Sequence, residues 1–138
     1  MLDLLLQEIF QHMKRILIAF LLIGSLLACD SDDGQTTEYY VKYKASVPEV
    51  PYHRIPVNIM VQTPDGKKAF STFSGEDFEV TYGPVLKGFE AKMKIRQNWT
   101  REIMVMLEIQ TSTGSKPFTL MAVENKEAMG MVIEHTIE

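Results

Sequence analysis

Apolar and polar positions alternate along most of the chain beyond residue 38. In residues 89–96 every odd position is apolar and every even position is charged. This period of two is typical of a strand with one face on a core and the other in water. Residues 39–44 and 55–62 alternate in a similar way, with Tyr39, Val41 and Tyr43 on the inward face of the first segment. The body of the chain is therefore predicted to be built from strands.

Turn-forming residues separate these runs. The order Thr-Pro-Asp-Gly at 63–66 indicates a tight hairpin turn, and Ser-Thr-Gly-Ser at 112–115 indicates a second one. With the further runs in between, this spacing gives about seven to eight short strands. The pattern predicts an all-β fold, an antiparallel β-sandwich of the immunoglobulin-like type, with a small barrel as the alternative. A helix is expected only as a single turn at residues 125–129.

The first 28 residues follow a different pattern. Lys14 and Arg15 precede the uncharged stretch 16–27, which has the length of the apolar region of a signal peptide. A membrane-spanning helix needs about 20 apolar residues, so this stretch is too short to serve as one. We therefore expect a signal peptide over residues 1–28, and the acidic residues before Met13 suggest that Met13 is the true start.

The sequence Leu-Leu-Ala-Cys at 26–29 resembles the lipobox of bacterial lipoproteins. The resemblance implies that the thiol of Cys29 carries diacylglycerol, that the chain is cut before Cys29, and that the new amine is acylated. Three acyl chains would hold the protein stably at a membrane. The alternative is a buried or amphipathic helix with an incidental cysteine.

Residues 29–37 are acidic, small and polar, which is typical of a flexible tether. The sequence Cys-Asp-Ser-Asp-Asp also resembles the acidic export signal of some surface lipoproteins. It implies a lipid anchor in the outer membrane with the domain, residues 38–138, displayed at the cell surface. Retention at the inner membrane is the alternative, because an aspartate directly after the cysteine is a retention signal in other lineages.

Charge and cysteine content exclude several classes of protein. The chain has 14 Lys and Arg against 18 Asp and Glu, a formal net charge of −4, whereas a nucleic-acid-binding domain usually carries a basic face. The single cysteine excludes a disulfide framework within one chain and a zinc site with several cysteines. We expect no nucleic-acid partner.

Candidate catalytic groups are few. His53 lies in a proline-rich segment and His135 lies in step with the apolar positions of the last strand, so each is expected to be structural or solvated. The acidic residues at 76–79 lack the spacing of a calcium loop, and no Gly-x-Ser-x-Gly elbow is present. Trp99, between two strands, is expected to fold over the end of the core rather than to bind a ligand. The sequence predicts no catalytic, cofactor or metal site.

The methionines are the unusual feature. Residues 103–109 are apolar on both faces of a predicted strand, so that strand should be covered on both sides. Methionine suits adaptable binding surfaces, and one hypothesis is an outer apolar patch for a partner or lipid. Its residues would be Met60, Met104, Met106 and Met121. Packing around the core and thioether binding of copper(I) are the alternatives.

Three features of the body resemble the MmpS transport-accessory proteins, which join a membrane segment to an immunoglobulin-like sandwich. These are Tyr-x-Val-x-Tyr at 39–43, Thr-Pro-Asp-Gly at 63–66 and Phe-x-Ala-x-Met-x-Ile at 89–95. The paired cysteines of that family are missing, so the resemblance implies the architecture and no transport partner. We expect a non-enzymatic, membrane-anchored binding or accessory module at the cell envelope. A carrier of a small apolar ligand or lipid is the alternative, and a hydrolase of envelope polymers is a weaker one.

Overall fold

Eight antiparallel strands form the described part of the chain, which confirms the all-β prediction. The computed structural model describes residues 36–138, so the predicted signal peptide, Cys29 and all but the last two residues of the predicted tether lie outside the described residues. The strands are β1 (Tyr39–Ser46), β2 (Pro56–Thr63), β3 (Gly66–Phe73), β4 (Phe78–Val85), β5 (Glu90–Gln97), β6 (Ile103–Thr113), β7 (Thr119–Ala128) and β8 (Gly130–Thr136).

The strands form two four-stranded sheets, as expected for a β-sandwich. Sheet 1 has the order β4-β1-β6-β7 and sheet 2 has the order β3-β2-β5-β8. The pairs β2–β3 and β6–β7 are hairpins, whereas β1, β3, β4, β5 and β7 are each followed along the chain by a strand of the other sheet. Each sheet thus has two central strands and two edge strands.

The core lies between the sheets and is filled by the side chains that the alternation assigned to the inward faces. In β1, Val41 and Tyr43 are buried, and in β5, Met93 and Ile95 are buried. The core cluster consists of Val41, Tyr43, Ala45, Val47, Val57, Ile59, Val61, Val85, Ala91, Met93, Ile95, Val105, Leu107, Ile109, Met131, Ile133 and Ile137. Burial of this apolar surface is the main force that holds the two sheets together.

Two side chains add hydrogen bonds that cross between elements. The Tyr43 hydroxyl in sheet 1 donates to the backbone carbonyl of Gln62 in sheet 2 at 2.6 Å. At the opposite end of the sandwich, the Gln97 amide donates to the carbonyl oxygens of Arg101 and Ala128 at 3.1 and 2.7 Å. Buried polar groups are stable in a core when they are paired, so these three hydrogen bonds fix the local arrangement.

The hairpin turn predicted at 63–66 forms between β2 and β3. Thr63 is buried, and its hydroxyl donates to the carbonyl of Gly66 at 2.8 Å while accepting from the amide of Asp65 at 3.3 Å. Gly66 has a φ of +114°, a conformation that residues with a side chain rarely adopt. The residues of this turn therefore determine the register of the hairpin.

The predicted helical turn at residues 125–129 is wrong. Residues up to Ala128 belong to β7, where Asn125, Lys126 and Glu127 lie opposite Met106, Val105 and Met104 of β6. Lys, Glu, Ala and Met have good helix propensity. Here the free backbone of the long strand β6 offers a ladder of hydrogen bonds, and this tertiary pairing overrides the local preference.

Candidate interaction surface

The four methionines of the predicted patch do not share one surface. Met104 and Met106 lie on the outer face of β6 in sheet 1, with Met104 44% exposed and Met106 half-buried. Met60 is similarly exposed, at 42%, but lies on the outer face of β2 in sheet 2. Two sheets separate Met60 from the other pair, so the structure brings together only part of the predicted set.

Met121 occupies an irregular position in β7. Ile109 of β6 lies opposite Ala122 and Gln110 lies opposite Leu120, so Met121 is an extra residue without an opposite partner. Such a bulge shifts the alternation of the strand by one position. Met121 is exposed and lines a depression with Tyr39 and other residues at the end of the β6–β7 hairpin.

Exposed apolar side chains concentrate on β6 and β7. Of the nine large apolar side chains that are exposed in residues 36–138, five lie on β6, on β7 or directly after β7: Met104, Leu120, Met121, Val123 and Met129. The register places Leu120 and Val123 opposite Gln110 and Glu108 on the outer face. We define the sheet 1 strip as the outer-face apolar residues Met104, Met106, Leu120 and Val123.

The sheet 1 strip is interleaved with polar groups. Asn125 and Glu127 lie opposite Met106 and Met104, and Glu108 lies opposite Val123. Glu108 also accepts from the Gln110 amide at 2.8 Å and lies 3.9 Å from the Lys44 ammonium. An apolar surface with polar neighbours of this kind is typical of protein interaction sites. The expected cover over the outer face of residues 103–109 is not found among residues 36–138, because Met104 remains exposed.

β7 is also an edge strand. It pairs with β6 on one side, and in the part of the chain that the structure describes no strand lies on its other side. Glu124 and Lys126 share the opposite face from the strip, both are exposed, and their charged atoms are 3.7 Å apart. Because the strand is exposed over nearly its whole length, its free backbone edge is accessible.

Sheet 2 has a different outer face. Its central strand β5 presents Lys92, Lys94 and Arg96, and Lys92 pairs with Glu134 of β8 at 2.8 Å. This pair lowers the pKa of Glu134 and raises that of Lys92, because the two charges form a hydrogen bond. A shallow depression of about 390 Å³ lies between Met60 and the side chains of β3 and β5.

Aromatic residues cluster at one end of the sandwich. Trp99 is half-buried, and its ring centre lies 4.7 Å from that of His53. The amide of His53 donates to the carbonyl of Val50 at 3.0 Å, and Tyr52 between them has a φ of +65° and is wholly exposed. Trp99 thus packs against His53 of the β1–β2 loop, and it is not among the side chains that pack against the core cluster.

The acidic turn at 76–79 acts in local structure. Glu76 accepts from Arg54 at 2.7 Å and from the hydroxyl of Thr72 at 2.8 Å. These hydrogen bonds lower the pKa of Glu76, and the one from Arg54 has the larger effect. Arg54 also lies over the ring of Phe73, 4.1 Å from its centre. This carboxylate therefore anchors the β3–β4 turn to the β1–β2 loop.

His135 lies at the rim of the core, half-buried between buried Ile133 and Ile137. Its Nε2 atom is buried, without a hydrogen-bond partner among the described residues. Within residues 36–138 no group of three or more His, Cys, Asp or Glu side chains is arranged to hold a metal ion. The candidate site of the described residues is thus the partly apolar outer face of sheet 1, which lies beside the open edge of β7.

Comparisons with known proteins add no family to this description. No protein-family model, no curated protein and no solved structure matches the chain significantly. Within residues 36–138 we find no helix with the length and apolar character needed to cross a membrane.

Sequence reasoning missed Leu120 and Val123 of the strip. A regular alternation places residues 120 and 123 on opposite faces, whereas the bulge at Met121 puts both on the outer face. The apolar run 120–123 was the signal of these two residues in the sequence. It could not reveal which of its residues remain exposed.

Proposed function

We propose that the protein is a non-enzymatic binding module, anchored by lipid on Cys29 at the outer membrane, that receives an envelope protein on the sheet 1 strip. The anchor is supported by the leader: Lys14 and Arg15, the short apolar stretch, and Leu-Leu-Ala-Cys at 26–29. The acidic residues that follow Cys29 favour display of the domain at the cell surface.

The partner surface rests on one observation, the concentration of exposed apolar side chains on β6 and β7. Leu120 and Val123 are each 51% exposed, and Met104 is 44% exposed. Fully burying a side chain of this size contributes about 1.5–3 kcal/mol, so covering the exposed half of each would contribute about 1 kcal/mol. Three such residues would together contribute about 3 kcal/mol to the binding free energy of a partner on this face.

The anchor is tested by replacing the cysteine. We expect Cys29→Ala to move the protein from the membrane fraction to the soluble fraction, because the thiol that would carry the lipid is gone. Cys29→Ser is the matched variant, since it keeps the size and polarity of the side chain and should give the same release. Mass spectrometry of the native protein should show acyl groups on the residue. An unmodified sulfur, or a variant that stays in the membrane, contradicts the anchor.

The partner surface is tested by photo-crosslinking in intact envelopes. A photoreactive phenylalanine derivative at position 104 should give a discrete adduct with one protein, whereas the same derivative at position 60 should not. Met60 is the matched control because it has the same side chain and nearly the same exposure on the other sheet. Met104→Gln should weaken recovery of that protein, and Met60→Gln should leave it unchanged. Equal adducts at both positions, or none at position 104, contradict the proposal.

A further inference from the structure

The free edge of β7 is the least protected strand edge in the described part of the chain. Exposed edges are usually shielded by prolines, lysines or short length, because an open edge pairs readily with another strand. β4 contains Pro84, β3 carries Lys67 and Lys68, and β8 has seven residues. β7 carries one lysine, Lys126, and a bulge at Met121, but it has ten residues and no proline, and three of its apolar side chains, Leu120, Met121 and Val123, are exposed.

The charges of β7 indicate what the edge pairs with. Glu124 and Lys126 are two residues apart and share one face. In an antiparallel pair of identical strands with a two-fold axis at Asn125, Glu124 of each copy lies opposite Lys126 of the other. Cross-strand pairs of opposite charge stabilise a sheet, and like charges opposite each other destabilise it. An axis at residue 124 or 126 would place two glutamates or two lysines together, so the charges select the axis at Asn125.

We propose that β7 pairs with β7 of a second copy of this chain, antiparallel about Asn125, to join the two copies of sheet 1 into one eight-stranded sheet. The two Asn125 side chains meet at the axis, and Val123 lies beside the aliphatic part of Glu127 of the second copy. The bulge at Met121 ends the regular pairing on each side. The inference goes beyond the proposed function, because it concerns the edge of sheet 1 and not its outer face.

Charge exchange provides the sharpest test. The detergent-solubilised full chain is examined by sedimentation velocity, and we expect a dimer. Glu124→Lys and Lys126→Glu should each give a monomer, because each makes the paired residues alike in charge. A mixture of these two variants should form a 1:1 heterodimer, and the double exchange should restore the homodimer. Lys92→Glu, a matched reversal on the outer face of sheet 2, should stay dimeric.

A cysteine crosslink tests the same register independently of those charges. In the Cys29→Ala background, Asn125→Cys would be the only thiol, and the axis places the two Cα atoms about 4.5–5.5 Å apart, within disulfide range. Mild oxidation should crosslink this variant within a dimer, whereas Glu127→Cys on the same face should not crosslink, since it lies opposite Val123. A monomeric wild-type chain at about 100 µM, single-exchange variants that do not associate when mixed, or equal crosslinking at both positions would overturn the proposal.

Discussion

The two sheets of this sandwich are alike on their inner faces and different on their outer faces. Inside, both present alternating apolar residues that are almost fully buried, such as Ile109 in sheet 1 and Ile95 in sheet 2. Outside, the central strand β6 of sheet 1 presents methionines, whereas the central strand β5 of sheet 2 presents Lys92, Lys94 and Arg96. The core requires the inner pattern of both sheets, so the difference outside points to a role other than folding.

The largest expected effect tests the similarity of the inner faces. Ile109→Ala and Ile95→Ala should each lower the free energy of unfolding by about 2–5 kcal/mol, because each leaves a cavity in a close-packed core. The two losses should agree within about 1.5 kcal/mol, since both side chains are 0–1% exposed. Urea denaturation of the two variants and the wild type gives both losses in the free energy of unfolding, provided that the m-value is unchanged. A much smaller loss in one sheet would mean that the two walls of the core are not equivalent.

The next effect tests the hydrogen bond between the sheets. Burial raises the pKa of Tyr43 from 10.0 to about 12, so the folded state favours the neutral phenol. The contribution of the neutral Tyr43 phenol to folding stability is fully present below pH 10. It is lost as the pH rises from 10 through 12, which lowers the free energy of unfolding by about 2 kcal/mol. Tyr43→Phe should therefore be less stable than the wild type at pH 8 and should lack this part of the alkaline decline.

Urea denaturation of both proteins at pH 8, 10 and 11 checks this expectation. The difference between them should shrink as the pH rises, because only the wild type must keep an ionisable phenol beside the Gln62 carbonyl. Parallel stability curves for the two proteins would show that Tyr43 does not titrate differently in the folded and unfolded chains.

The smallest effect tests the difference between the outer faces. Met104→Gln and Met60→Gln should each change the free energy of unfolding by less than about 0.5 kcal/mol, because both side chains are exposed and neither fills the core. Thermal denaturation of the two variants measures this. A large loss of folding stability for Met104→Gln alone would show that Met104 packs within the fold. The argument for a partner on the outer face of sheet 1 would then fail.

Much of the fold was predictable because the alternation is regular wherever one face is buried. The charged and apolar positions of β5 placed Ala91, Met93 and Ile95 inside, and the structure confirms each of them. The turn at 63–66 gave the β2–β3 hairpin, because its residues favour that backbone conformation. The order of strands within the sheets was not predictable, since it depends on contacts between segments far apart in the chain.

The candidate surface was predictable only in part for the same reason. Methionine content singled out Met104 and Met60 together, but grouping them requires knowing that β6 and β2 belong to different sheets. Residues 125–128 show the second limit, because their local helix preference gives no information about the strand β6 beside them. The roles of the leader and of Cys29 remain predictions from the sequence, because these residues lie outside the described structure.

The extra residue in β7 has a consequence for how the sequence can vary. Ala122 and Leu120 already lie opposite consecutive residues of β6, so loss of Met121 would leave every other side chain of β7 on its present side. Loss of Lys94 from the regular strand β5 would instead move the side chains on one side of the deletion to the opposite face of the sheet, so that buried residues would become exposed. Chain length can therefore change by one at position 121 without a change of architecture, which makes it a natural point for divergence.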